Sequence, residues 1–290
     1  MKILVIGASS FSGKHFSKYA RKKGAEVLEA SLRHWSGLLQ PVDYCVNFAA
    51  LNVVAPSWEY PTEYLRVNAQ ETTLIMRELE VKKYLHVSTP EVYGNVFGKI
   101  QEDQPFNPST PYAVSRVAAE HMARCYHARY KLPVVFTRAC NVYGPGQQLY
   151  RLIPKLIVSI KKGIKFPLEG GGQSRRAFLH VDDMCEAYWR VLMNGSPPNA
   201  YHVSTDMQWR IVDLVQFIAN RMGFGLKEVT TIAPERPGKD TSYELATARI
   251  RAMGWNDTIK IKEGIDQMIE WVNANWSTLK DAPTEYHIEL

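Results

Sequence analysis

Met1-Lys-Ile-Leu-Val-Ile-Gly7-Ala-Ser-Ser-Phe-Ser-Gly13 opens the chain, and its reading decides the fold. Lys2–Ile6 is an unbroken apolar run, as a strand covered on both faces requires. Gly7 follows at once, and from about Phe11 to Lys23 the spacing predicts a helix. Strand, glycine-rich turn and helix in this order make a cradle for a pyrophosphate. The first glycine permits the tight turn, Gly13 lets helix and strand pack closely, and the helix N-terminus offers free N–H groups and a positive dipole end. Gly7, Ser9, Ser10, Phe11 and Gly13 are therefore the candidate dinucleotide contacts. Ser10 stands where a middle glycine would admit the closest backbone approach. Serine is small and can donate a hydrogen bond, so the site is altered rather than removed.

Outward from this turn, strands and helices alternate. Ala25–Ala30, Asp43–Phe48, Tyr84–Ser88 and Val134–Thr137 read as strands; Thr62–Glu80 and Tyr112–Tyr130 have helical spacing. Alternation of this kind implies a parallel sheet with crossover helices. The fold class is α/β, a Rossmann-type doubly wound parallel sheet with a smaller C-terminal substrate lobe. The second half has fewer strand–helix pairs. Val142–Gly146 and Glu169–Gln173 read as loops around a helix at Leu152–Lys162; Phe178–Val181 and Tyr201–Ser204 as short strands; Ile211–Met222 and Ile261–Asn275 as amphipathic helices. The expected division is 1–144 with 178–206 for the dinucleotide and 145–177 with 207–290 for the substrate. Only about a dozen residues separate the second strand from Asp43, which leaves little room for a further strand beyond it.

Composition narrows the function classes. With 35 basic against 29 acidic residues and a net charge of +6, the balance suits an anionic ligand and is too even for a nucleic-acid arm. Cys45, Cys125, Cys140 and Cys185 are far apart and include no Cys-x-x-Cys pair, which argues against a zinc site or a disulfide framework. No metal is expected. The first apolar run is too short for a signal peptide, and no stretch reaches the length of a membrane span. Those observations point to a cytoplasmic protein with neither membrane nor nucleic acid as partner.

Cofactor choice is read at the end of the second strand, where an acid favours NAD. Counting along Gly24-Ala-Glu-Val-Leu-Glu-Ala-Ser31 places Ser31 there, with Arg33 just beyond. A serine and an arginine suit a 2′-phosphate, whereas Glu29 lies close enough that a small register change restores NAD. NAD or NADP both stay open.

Two segments suggest chemistry. His86-Val-Ser-Thr-Pro-Glu-Val-Tyr-Gly94 lies at the C-terminal end of a strand, where ligands gather in open α/β sheets. Pro111-Tyr112-Ala-Val-Ser-Arg116 opens a helix. Tyr112 and Arg116 are four apart and share one face. A cation beside a phenol favours phenolate and makes tyrosine a usable base.

Together with Asn47-Phe-Ala-Ala50, Arg138-Ala-Cys-Asn-Val-Tyr-Gly-Pro-Gly146, Arg176-Ala-Phe-Leu-His-Val-Asp-Asp183 and Arg236-Pro-Gly-Lys-Asp240, these segments resemble an extended short-chain dehydrogenase/reductase of the nucleotide-sugar epimerase/dehydratase family. The likeness covers nearly the whole length. It implies that Tyr112 deprotonates the sugar 4-hydroxyl while hydride leaves C4 for the nicotinamide, and that Thr89 hydrogen-bonds the same hydroxyl. It also implies that Ala49, Tyr112 and Arg116 contact the cofactor. Asn141, Arg151, Arg176 and Arg236, with Thr89 and Glu91, would hold a nucleotide-diphosphate sugar, and two helices would pair copies into a homodimer.

Two departures bear on mechanism. The family usually has lysine where Arg116 stands; arginine keeps the charge but is planar and effectively never deprotonated. The 4,6-dehydratases of the group follow the threonine with an aspartate and a glutamate. Here Pro90 replaces the acid that protonates the leaving hydroxyl, and Glu91 keeps the one that removes the C5 proton. Dehydration through a transient 4-keto sugar is the leading expectation. C4 epimerisation is the alternative, and a dinucleotide sensor or RNA-binding scaffold without chemistry is the alternative of another class. Met207 falls where related dehydratases place a polar substrate contact.

Overall fold

The computed structural model describes residues 1–32, 41–96, 98–234 and 244–288. Six parallel strands form the central sheet: β1 (Lys2–Ile6), β2 (Glu26–Ala30), β3 (Tyr44–Asn47), β4 (Lys83–Ser88), β5 (Val134–Ala139) and β6 (Ala200–Val203). Their spatial order is β6-β5-β4-β3-β1-β2. Ile6 pairs with Ala30 on one side and Asn47 on the other. The chain thus steps one way from β1 to β2, then returns to lay β3 on the opposite side. The crevice at that reversal, above the carboxyl ends of β1 and β3, is where open α/β sheets take ligands. Among the described residues β2 is the sheet edge, in keeping with the short stretch before Asp43.

The unbroken apolar run of β1 has a direct cause. Alternate side chains point to opposite faces, and both faces are covered. Ile3 and Val5 join a core with Phe16, Met184, Tyr188 and Val191, beneath helices α1 (Phe11–Lys22) and Val181–Asn194. Leu4 and Ile6 join another with Ile75, Tyr84, Ala123 and Phe136, beneath Thr72–Glu78 and α2 (Pro111–Tyr130). Each such side chain, fully withdrawn from water, contributes about 1.5–3 kcal/mol.

Three departures from the sequence reading concern helices and the core, and a fourth is that Val142, read as the start of a loop, lies in the strand Asn141–Tyr143. Thr62–Glu80 is not one α-helix: Pro61–Leu65 and Thr72–Glu78 flank a π-helical stretch at Arg66–Glu71. The helix Val181–Asn194 was not anticipated, although Asp182 and Asp183 in its first turn and apolar residues at 181, 184, 185, 188, 191 and 192 carry its signal. Third, Ile250 and Trp255, placed with the substrate lobe by the sequence boundaries, pack into the core of the sheet.

The lobe has its own core, formed by α3 (Leu152–Lys161), α4 (Ile211–Arg221) and α5 (Ile261–Ala274) through Leu156, Ile157, Leu214, Ile218, Ile265 and Met268. A three-stranded sheet of Asn141–Tyr143, Arg175–His180 and Gln208–Arg210 joins it to the main sheet. Its middle strand serves both sides, since Phe178 enters the lobe core and the next residue, Leu179, the sheet core. Among the described residues no helix is long and apolar enough to cross a membrane, and no cluster of acidic, histidine and cysteine side chains could hold a metal ion.

Candidate active site

Between sheet and lobe lies a cleft of about 2220 Å³. That is several times the ~300–1,000 Å³ of a pocket for one drug-sized ligand, so it has room for two ligands side by side.

At one end is the glycine-rich turn. Gly7 has φ +78°, a conformation that side chains resist, and its N–H donates to the Ala30 carbonyl at 2.8 Å. A Cβ at Gly7 would sit 2.6 Å from the Ala49 nitrogen, and one at Gly13 would collide with the Gly7 carbonyl. The obstacles are backbone atoms, which cannot swing aside. Ser10 turns out to be the N-cap of α1, its Oγ accepting from Gly13 N–H at 3.1 Å. It therefore finishes the helix end while Gly7, Ser9, Ser10 and Phe11 line the cleft. We expect Gly7→Ala to carry about 1–3 kcal/mol of backbone strain. Dinucleotide affinity should fall about tenfold or more in a calorimetric titration, and unchanged affinity would show that the turn is not the cradle.

Ser31 and Leu32 also line the cleft. Glu29 does not: it is turned to the surface, where it pairs with Arg21 at 2.7 Å. The register at the end of β2 is thereby fixed with Ser31 at the crevice. Arg33 and Arg236 lie outside the described residues.

Ala49 sits in a loop held by two buried asparagines, Asn47 of the segment quoted above and Asn68, which the sequence alone does not single out. Its N–H donates to Asn47 Oδ1 at 2.9 Å, and Asn47 Nδ2 donates to the Tyr84 hydroxyl at 3.2 Å. Asn68, from the π-helical stretch, clamps Leu51 on both sides, accepting from its N–H at 2.8 Å and donating to its carbonyl at 3.0 Å. Asn68 also donates to Ser115 Oγ at 2.9 Å, and Ser115 donates to the Tyr112 carbonyl at 2.7 Å. The cofactor loop and the helix of the candidate base are thus one hydrogen-bonded unit. π-Helical turns recur at functional sites because the extra residue re-aims a side chain.

α2 begins at a capped end, with Thr110 Oγ1 accepting from Ala113 N–H at 3.1 Å and Pro111 in the first turn. Tyr112 and Arg116 follow on one face, both buried. Thr89 hydrogen-bonds the Tyr112 phenol and Glu91 lies near it. Pro90 occupies the first position of a 3-10 turn capped by Thr89, where the missing N–H costs nothing.

The sign of the Tyr112 shift corrects the sequence expectation. Burial pushes its pKa up; Arg116 and the Thr89 hydrogen bond oppose this, and the Glu91 carboxylate adds to it, with a net rise. The cation four residues away restrains the rise without reversing it.

Arg116 reaches down to the sheet. Its Nη2 donates to the Val87 carbonyl and meets His86 Nε2 at 3.5 Å. Burial, then the charge of Arg116, pushes His86 down to about 3, so the imidazole stays neutral. Nε and Nη1 of Arg116 are buried without a hydrogen-bond partner among the described residues. Such nitrogens call for acceptors. Ribose hydroxyls supply them, so the glycine cradle and Arg116 together fit a nicotinamide dinucleotide.

The substrate candidates line the other end. Asn141 donates to the Ala177 carbonyl at 3.3 Å, Arg151 to Asn52 Oδ1 at 2.9 Å, and Arg176 to the Arg175 carbonyl at 2.7 Å. All three border the cleft with Thr89, Glu91 and Tyr112. Met207 does not; it is 55% exposed on a turn, so its departure from the expected polar contact leaves the cleft wall untouched.

Residues 3–204 match the description "NAD dependent epimerase/dehydratase family". The chain is 34% identical over 282 residues to the dTDP-D-glucose 4,6-dehydratase of Homo sapiens, covering 92% of this chain and 81% of that protein. Among solved structures, DesIV, a dTDP-glucose 4,6-dehydratase from Streptomyces venezuelae with NAD and TYD bound, matches with a TM-score of 0.90. That alignment has 27% identity and covers 96% of this chain and 98% of that one. MoeE5 in complex with UDP-glucose and NAD matches at 0.87 and 26% identity, over 95% and 100%. The chain belongs to the NAD dependent epimerase/dehydratase family.

Proposed function

We propose that the protein removes water from a nucleoside-diphosphate hexose after transient oxidation at C4. The observation that carries this reading is the convergence of Thr89, Glu91 and Tyr112 on one wall of the cleft, with Arg116 buried behind them. NAD held by the Gly7–Gly13 turn and Arg116 would supply the acceptor for the C4 hydride and, once reduced, the hydride for C6. Tyr112, as phenolate, takes the 4-hydroxyl proton, and Thr89 holds the phenol oxygen and the substrate hydroxyl in line. Oxidation makes the C5 proton acidic, and Glu91 removes it. Pro90 has no acid to offer, so Glu91 hands that proton to the C6 hydroxyl as it departs. One water leaves; hydride return to C6 then needs a proton at C5, which Glu91 delivers after regaining, through solvent, the proton that Tyr112 took from the 4-hydroxyl. Arg176, on the strand that joins sheet and lobe, pairs with the pyrophosphate, and Asn141 and Arg151 support the substrate beside it.

C4 epimerisation is the second reading, favoured by Pro90, because rotation of a 4-keto sugar needs no acid at that position. Incubation with dTDP-glucose and with UDP-glucose separates the two. A product lighter by one water supports dehydration; a product of unchanged mass supports epimerisation. Glu91→Gln should slow water loss by about 10²–10⁴ while C4 oxidation persists, seen as reduced nicotinamide on mixing. Unchanged turnover in that variant moves the assignment to the epimerase.

The protein is read as a cytoplasmic homodimer. Leu65 together with Val114 and Met122, eight apart on one face of α2, leaves apolar side chains in solvent on adjoining helices, which a second copy would cover.

A further inference from the structure

The segment that follows the last helix returns across the cleft. Along 281–288 exposure alternates strictly, with Ala282, Thr284, Tyr286 and Ile288 half-buried and the residues between them exposed. Alternate side chains of the segment are thus laid on the protein. Ala282 packs against the core of the lobe. Beyond it, Glu285 pairs with Lys155 of α3 at 2.7 Å, and the Tyr286 ring meets Tyr150 edge-on, with centroids 5.0 Å apart. Pro283, Glu285, Tyr286 and His287 all line the cleft, as do Tyr150, Arg151 and Lys155.

Tyr286 lies toward the reacting end. It and Arg151 act electrostatically on the Tyr64 phenol, and the Tyr64 ring meets Tyr112 edge-on at 6.2 Å. Ring contacts thus join Tyr150 to Tyr286 and Tyr64 to Tyr112, and the Tyr286 and Tyr64 phenols lie near enough to act on each other electrostatically. The Lys155–Glu285 pair is exposed on the glutamate side, so salt and water weaken it. The fastening at Glu285 is therefore one that solvent can loosen.

We propose that residues 282–288 form a strap that closes the sugar end of the cleft over a nucleoside-diphosphate hexose, with Tyr286 as its substrate-facing residue. The proposal rests on the nucleotide-sugar reading above. A tyrosine suits the position because its ring packs on the C–H face of a hexose while its hydroxyl stays free to hydrogen-bond. Closure also keeps the 4-keto sugar in place between loss and return of the hydride. When the strap is open, that ketone leaves and the enzyme stays behind with its cofactor reduced.

The test compares Tyr286→Ala, Tyr286→Phe and Glu285→Lys with the wild type on UDP-glucose and dTDP-glucose. Tyr286→Ala and Glu285→Lys should raise KM by about tenfold, the effect of one aromatic contact or its fastening. They should also accumulate reduced nicotinamide and release free 4-keto sugar nucleotide. Tyr286→Phe should restore most of the KM. Bound NAD and the thermal midpoint should not change, which separates closure from folding. In hydrogen exchange, peptides covering 282–288 of the NAD-loaded wild type should slow when either sugar nucleotide is added. Wild-type turnover with unaltered KM in the variants and unaltered exchange overturns the strap alone. A wild type that neither binds nor converts either sugar nucleotide overturns the proposed function, and the strap's occupant with it.

Discussion

Tyr112→Phe is expected to lower turnover by about 10²–10⁴ while leaving cofactor and sugar nucleotide bound, because it removes the proposed base for the 4-hydroxyl proton. The ring would still pack on Tyr64, and the backbone bond from Ser115 would still anchor the residue, so the lesion is confined to one oxygen. The pH profile gives a second check. As the proposed base Tyr112 works as phenolate, and burial leaves its pKa above the ordinary value, so kcat/KM should climb into the alkaline range. Arg116 pulls that pKa down, so Arg116→Met should move the limb to higher pH. Glu91 pushes it up, so Glu91→Gln should move what activity remains to lower pH. A phenylalanine variant near wild-type rate, or limbs that move in the opposite directions, would remove Tyr112 from the role of base.

The parts of this site that were legible in the sequence are those whose partners lie close along the chain. Strand, Gly7–Gly13 turn and helix follow one another without a gap, so their geometry is implied by local sterics. Tyr112 and Arg116 are one helical turn apart, and Thr89 and Glu91 share one tight turn. Asn68 and Ser115 meet across 47 positions, and nothing local marks either as special. The π-helical stretch around Asn68 has the composition of an ordinary helix, and the buried Asn68 within it faces Leu51, 17 positions away. The rise in the Tyr112 pKa was misread for the same reason, since a sequence displays the nearby cation and not the depth of burial. Ser31 and Glu29 were ambiguous until the alternation of β2 turned Glu29 toward Arg21. Tyr286 lies in a polar stretch that reads as a loop, and only its return to Tyr150 places it at the cleft. Arginine in place of the family's lysine, with the basic balance of the chain, is what speaks for a non-catalytic sensor or scaffold, yet Arg116 lies buried on one helix face with Tyr112.

The largest stability effect is expected at Glu120 and Arg138, which reach no solvent at all. Glu120 lies on α2 four residues beyond Arg116, so Tyr112, Arg116 and Glu120 share one helix face. Arg138 of β5 grips it with both ends of its fork, Nε to Oε1 at 2.9 Å and Nη2 to Oε2 at 2.6 Å. The third nitrogen donates to the Glu102 carbonyl at 2.9 Å and to the Tyr93 hydroxyl, which meets His202 Nε2 at 2.7 Å. Burial alone would raise the Glu120 pKa; the charge and hydrogen bonds of Arg138 win and hold it down at about 2. Glu120→Ala leaves a buried guanidinium without its counter-charge and should cost about 3–5 kcal/mol, read from the urea midpoint at neutral pH. Replacing both residues by methionine should cost far less, because no charge is then stranded. The pH dependence has a fixed sign. A carboxyl group whose folded pKa is depressed stabilises fully above its unfolded value, near 4.5, and loses that contribution as pH falls through about 2. The wild type should therefore weaken across this window, and the double variant should lack that component. The pair bolts α2 to the sheet two turns from Tyr112, so Glu120→Ala should also lower kcat under conditions where the fold persists. A variant with a wild-type urea midpoint would show that the ion pair fixes neither the helix nor the base it carries.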